Sequence, residues 1–107
     1  MTTHDYRDVL LKAASIVEEG WCQGDYTNLR PGYLSNDEWN QATERCALGA
    51  IHTAQWQLVG QAITHEFDVA CIEAVESVVG EPVDEWNDAP GRTVDEVAAA
   101  LRQAATA

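Results

Sequence analysis

The chain has 107 residues, 46% hydrophobic and 22% charged. Its length supports a single domain with one core, and its composition is that of a globular chain rather than a disordered one. Six Lys and Arg against 18 Asp and Glu give a net charge of -12, which argues against a nonspecific nucleic-acid binder or a protein drawn to anionic membranes, since both need basic patches.

The pattern of residues predicts an all-α fold, a compact four-helix single domain with two structured loops. The first helix covers about 5–19. Tyr6, Leu10, Ala13, Ala14 and Val17 recur at helical spacing. Thr3 or Asp5 can cap its start, and Gly20 is a natural stop. Residues 21–35 read as loop, punctuated by Gly24 and by Arg30-Pro31-Gly32. The second helix is expected over 36–59, opened by the capping-box pattern Ser35-x-x-Glu38, with Gly49 inside it. The third covers 64–79, with Thr64 able to cap it, Phe67, Ala70, Cys71, Ala74 and Val78 on one face and Gly80 ending it. A loop over 81–92 follows, and its Ala89-Pro90-Gly91 is a turn signal. The fourth helix covers 93–105, opened by the capping box Thr93-x-x-Glu96.

No run of residues approaches the roughly 18 apolar positions of a spanning helix. The opening Met1-Thr2-Thr3-His4-Asp5 has neither the basic nor the apolar region of a signal peptide. Three cysteines, Cys22, Cys46 and Cys71, are an odd number, which reads as free thiols in a reducing cytoplasm rather than a disulfide framework.

Charge is unevenly placed. Between Arg45 and Arg92 there is no Lys or Arg, while Glu66, Asp68, Glu73, Glu76, Glu81, Asp84, Glu85 and Asp88 fall in that interval. The stretch reads either as a solvated acidic face or as a docking face for a basic protein surface, where charge steers encounter.

Chemistry-bearing residues each have a structural alternative. Cys22 sits in the Gly-bounded loop Gly20-Trp21-Cys22-Gln23-Gly24 and could be a nucleophile or could plug the core. Cys46, Gly49, Ala50 and Thr53 share one helical face, a stripe of small residues that lets another helix approach closely. Cys46 would gain acidity only if a helix began beside it, and His52 lies about 240° around that helix, off its face. Asn87, Asp88 and Arg92 build a turn before the last helix or, alternatively, form a polar cluster near Cys22. No zinc, calcium or nucleotide-cofactor spacing occurs, so neither a metal nor a cofactor is expected.

Three motifs in order, Trp21-Cys22-Gln23-Gly24, Cys46-Ala47-Leu48-Gly49-Ala50 and Trp86-Asn87-Asp88, the last followed by Gly91-Arg92-Thr93, resemble a family of small uncharacterised domains in actinobacteria and their phages. The single Lys and abundant Ala suit such a high-GC source. The resemblance spans roughly 20–105 and implies a cytoplasmic protein whose two loops meet at the second helix, in a shared core or a shared site. It brings no catalytic role with it. The leading expectation is a non-enzymatic interaction domain, phage-encoded, that binds a host protein with a basic surface through Glu66, Asp68, Glu73, Glu76, Glu81, Asp84 and Glu85. The alternative is a small enzyme or ligand-binding domain using Cys22, Cys46, His52, Asn87, Asp88 and Arg92. A less favoured third is an acidic mimic of nucleic acid.

Overall fold

A computed structural model describes residues 5–29 and 34–106. Among them the fold is all-α and compact, as the periodicity predicts: α1 (Tyr6–Glu19), α2 (Asn36–Gln41), α3 (Ala47–Leu58), a 3-10 turn at Gly60–Ala62, α4 (His65–Val79), α5 (Val83–Asn87) and α6 (Val94–Thr106).

The capping residues read from the sequence take up the helix ends. Asp5 accepts from the backbone N–H of Arg7 and Asp8 while Asp8 accepts from Asp5, a reciprocal box. Thr3, the alternative cap, lies outside the described residues. Ser35 and Glu38 form the same arrangement at α2, Thr64 caps α4, and Thr93 and Glu96 exchange hydrogen bonds at the start of α6. Each such cap is worth about 1 kcal/mol.

The core is built around α1, which packs on α6, α3 and α4. Three neighbours explain why its buried face, Val9, Leu10, Ala13, Ala14, Ile16 and Val17, is wider than a single stripe. The matching face of α6, Val97, Ala98, Ala100, Leu101, Ala104 and Ala105, is rich in Ala, so the two backbones lie close. Arg102 clamps the pair from outside with a two-pronged bond to Glu18, at 2.9 and 2.5 Å. On α4 the buried centre is Cys71 and Val75, with Phe67, Ala74 and Val78 half-buried beside it. Ala70, placed on that face by the sequence reading, is exposed.

The helix expected over 36–59 is two helices. Nothing in Ala42-Thr43-Glu44-Arg45 opposes a helix locally; longer-range hydrogen bonds pull the segment into an extended form. Arg45 N–H donates to Gly20 O at 3.0 Å, and Cys22 N–H donates to Arg45 O at 3.3 Å. On the other side Cys46 N–H donates to Tyr26 O at 3.0 Å and Asn28 N–H to Glu44 O at 3.2 Å. The Asn28 side chain also accepts from the N–H groups of Thr43 and Glu44. The loop after α1 thus wraps residues 43–46 on both sides, a tertiary override of helix propensity. The loop expected over 81–92 likewise contains α5. Its first N–H, on Val83, donates to the Glu76 carboxylate at 3.2 Å.

Two glycines are set by this wrapping. Gly20 has extended backbone open to any residue, but a methyl there would overlap the Thr43 carbonyl. At Gly49 a methyl would overlap the Tyr26 carbonyl oxygen and come 3.0 Å from the Trp39 ring. The small-residue face of α3 therefore receives a loop backbone and an indole at this position. The helix that the stripe pattern leads one to expect is not what lies against Gly49.

Gly49→Ala would gain about 1 kcal/mol of helix propensity. The overlap costs about 1–3 kcal/mol or more, so the expected net effect is destabilisation, measured as a lower urea midpoint. A midpoint that rises would mean that the loop at Tyr26 yields freely. Gly20→Ala is expected to lower the midpoint as well.

Candidate functional site

The three motifs meet at one side chain, Asn87, at the C-terminal end of α5, and it is 0% exposed. Its Oδ1 accepts from Trp21 Nε1 at 2.7 Å and from the backbone N–H of Ala47, the first residue of α3, at 3.0 Å. Its Nδ2 donates to Cys22 O at 3.2 Å and to Asp88 Oδ1 at 3.0 Å. All four hydrogen-bonding positions of the amide are filled, and the partners fix which end is oxygen. Gln23 adds a clasp, donating to the carbonyls of Asn87 and Ala89 at 2.9 and 3.1 Å. Asp88 Oδ1 also accepts from Gly24 N–H at 2.9 Å. The loop after α1, the start of α3 and the end of α5 are joined here.

Beside this junction lies a cleft of about 230 Å³ lined by Gly24, Asp25, Tyr26, Cys46, Asp84 and Asp88. Cys46 sits at its inner wall as the cap of α3, its sulfur accepting from Gly49 N–H at 3.3 Å. A helix does begin beside Cys46, the condition for an acidified thiol, yet the thiol is pushed up to about 11. Burial is the largest influence and outweighs the N–H groups of Gly49 and Leu48, which pull the other way. Cys22, half-buried with its thiol 3.7 Å from Asp25 O, is pushed up to about 12, again chiefly by burial. Cys71, buried on α4, is pushed up to about 12 for the same reason. Near neutral pH these sulfurs stay protonated, which is poor chemistry for a nucleophile.

The structure brings Cys22, Cys46, Asn87 and Asp88 together but leaves His52 and Arg92 apart from them. His52 lines a second cavity, with its ring 4.7 Å from that of Trp39. Burial lowers its pKa, and nearby Asp68 opposes that only in part. Arg92 is taken up by the fold. Its guanidinium lies 4.1 Å from the centre of the Trp86 ring, Nε donates to Trp86 O at 3.0 Å, and a terminal nitrogen meets Glu96 at 3.2 Å. That closes the turn before α6.

The acidic residues divide as well. Glu66, Glu73, Glu81, Asp84 and Glu85 are exposed, and no Lys or Arg among the described residues pairs with them. Asp68 is half-buried and accepts from Gln55 Nε2 at 2.7 Å, and Glu76 holds the start of α5. These two serve the fold. Sequence reading missed Asp25 and Tyr26, although an aromatic just after Gly24 in a loop is an available signal. Tyr26 lines both cavities. Among the described residues no group of three His, Cys, Asp or Glu is placed to hold a metal ion.

A family model matches the chain over residues 1–107. The chain belongs to DUF6197, a family of unknown function. No curated protein and no solved structure matches it. The motifs that the sequence reading grouped are, in this member, the parts joined at Asn87.

Two predictions follow from the junction. Asn87→Ala leaves Ala47 N–H, Trp21 Nε1 and Cys22 O without their partner. At about 1–3 kcal/mol for each buried group left unpaired, a loss of several kcal/mol is expected in denaturant unfolding. Asn87→Asp puts a carboxylate against Asp88 and the Cys22 carbonyl. That variant should be least stable at neutral pH and recover as acid protonates it, whereas a pH-independent loss would contradict the geometry.

The thiols give a further prediction. The folded chain keeps protons that the unfolded chain releases above the ordinary thiol value of 9.0. The stability due to these groups is complete below that value and falls as pH rises from about 9 towards 12. In native protein at pH 8 a disulfide reagent should label at most one thiol quickly, and all three after denaturation. Rapid native labelling of both Cys22 and Cys46 would instead mark a reactive pair.

Proposed function

We propose that this domain is a non-catalytic, cytoplasmic protein-interaction module that docks on a basic protein surface through the acidic side formed by α4, α5 and the Gly24–Asp25 loop. The observation that supports it is the cleft walled by Asp25, Asp84 and Asp88, with no basic residue lining it among the described residues. A cleft of this charge suits a Lys or Arg side chain of a partner, with Glu81 and Glu85 exposed on the same short stretch of chain. The high thiol pKa values and the full use of the Asn87 amide by the fold favour this over the enzyme reading. Among the described residues no helix is long and apolar enough to cross a membrane. The source that the motif resemblance implies, an actinobacterium or its phage, would make the partner of a phage-encoded copy a host protein.

Glu73→Lys with Asp84→Lys tests the reading, because both side chains are exposed and neither carboxylate is tied into the fold. A partner captured from a lysate by the wild-type domain should associate more slowly with this variant. The difference should be largest at low salt and shrink as the Debye length falls. Unchanged CD and melting serve as controls. Equal on-rates for the two proteins at low and high salt would reduce the acidic face to a solubilising surface.

A further inference from the structure

The second cavity, of about 200 Å³, is walled by Tyr26, Trp39, Leu48, His52, Asp68 and Ile72, and shares only Tyr26 with the acidic cleft. We propose that it is a binding site for a small flat heteroaromatic molecule carrying one hydrogen-bond acceptor and one N–H donor. This goes beyond the docking reading and does not depend on it.

Size and shape come first. Pockets for drug-sized ligands run from about 300 to 1,000 Å³, so this one suits one ring or two fused rings. Leu48 and Ile72 supply aliphatic wall from α3 and α4. The rings of Tyr26 and Trp39 supply aromatic wall, their centres 6.1 Å apart and their planes inclined by 57°. Aromatic faces of this kind favour a flat ring over a branched aliphatic body of equal volume. The His52 ring, 4.7 Å from that of Trp39, supports the indole from α3.

Polarity then narrows the class. Trp39 is 3% exposed, and its Nε1–H has no acceptor among the described residues. A buried donor without a partner is costly and rare in native structures. Asp68, on the cavity wall, is held by Gln55 Nε2 at 2.7 Å. Gln55 is itself 1% exposed, and its Oε1 has no donor. The cavity wall thus carries one orphan donor, on Trp39, and one carboxylate acceptor, on Asp68, which Gln55 holds from behind. An aliphatic guest would leave the indole N–H unpaired, and so would an ammonium ion, which accepts nothing. A heteroaromatic ring with a pyridine-like nitrogen and an N–H can satisfy both kinds of group while its faces meet the aromatic walls.

Benzimidazole is a suitable probe. In ¹⁵N-labelled protein the Trp39 indole N–H signal, assigned by its loss in Trp39→Phe, should move saturably as benzimidazole is added. 1-Methylbenzimidazole, which lacks the N–H, should bind about tenfold more weakly, and indene, which lacks both nitrogens, should leave the signal in place. Asp68→Asn keeps an oxygen for Gln55 and should also weaken benzimidazole about tenfold. Leu48→Phe or Ile72→Phe, taken in whichever variant keeps the wild-type melting curve, should abolish the saturable shift by filling the cavity. The proposal is overturned if benzimidazole moves no Trp39 signal up to millimolar concentration. It is equally overturned if indene moves that signal as much, or if neither Asp68→Asn nor a filling variant changes the response.

Discussion

The arrangement of this domain depends on the amide of Asn87. One buried side chain holds the first N–H of α3, the indole of Trp21 and a carbonyl of the loop after α1, and it sits on the last residue of α5. Within a low-dielectric interior such a network is strong when complete and expensive when broken. Together with the bonds that draw out the segment before it, this amide sets the start of α3 at Ala47 and not at residue 36. The segment before it is drawn out into an extended form and gripped by Gly20 and Cys22 on one side and by Tyr26 and Asn28 on the other.

From this junction the two cavities take their positions. Tyr26 is fixed through its carbonyl, which accepts from Cys46 N–H, and the residue, 39% exposed, lines both the acidic cleft and the Trp39 cavity. Gly49 has no side chain because the Tyr26 backbone and the Trp39 ring occupy that space. Cys46 is committed to capping α3, and burial keeps it protonated. The residues that first suggest chemistry are thus engaged in structure. The surfaces proposed for recognition are the exposed carboxylates of α4 and α5 and the aromatic cavity at Trp39.

How much of this was legible in the sequence follows from the range of the interactions involved. The caps of α1, α2, α4 and α6 act within three residues, so Asp5, Ser35, Thr64 and Thr93 could be read directly. The break at 42–46 could not, because no local breaker causes it and its hydrogen bonds come from residues 15 or more positions away. The short helix α5 was hidden for a similar reason: its first N–H is met by Glu76 from the preceding helix. Asn87 and Asp88 read locally as turn formers, yet the Asn87 side chain reaches Ala47, 40 positions earlier in the chain. The meeting of the two loops was legible through the motif resemblance and through the alternative reading of Asn87 and Asp88 as a polar cluster near Cys22. The cavity at Trp39 was not legible, since it assembles residues from Tyr26 to Ile72 and no spacing rule connects them.

The most direct test of the Asn87 junction is native-state hydrogen exchange at the Ala47 backbone N–H and the Trp21 indole N–H. If the amide of Asn87 holds the domain together, both protons exchange only through global unfolding, with the same free energy and denaturant dependence as the core of α1. Exchange of either proton through a low-energy local opening, while α1 stays protected, would contradict the account.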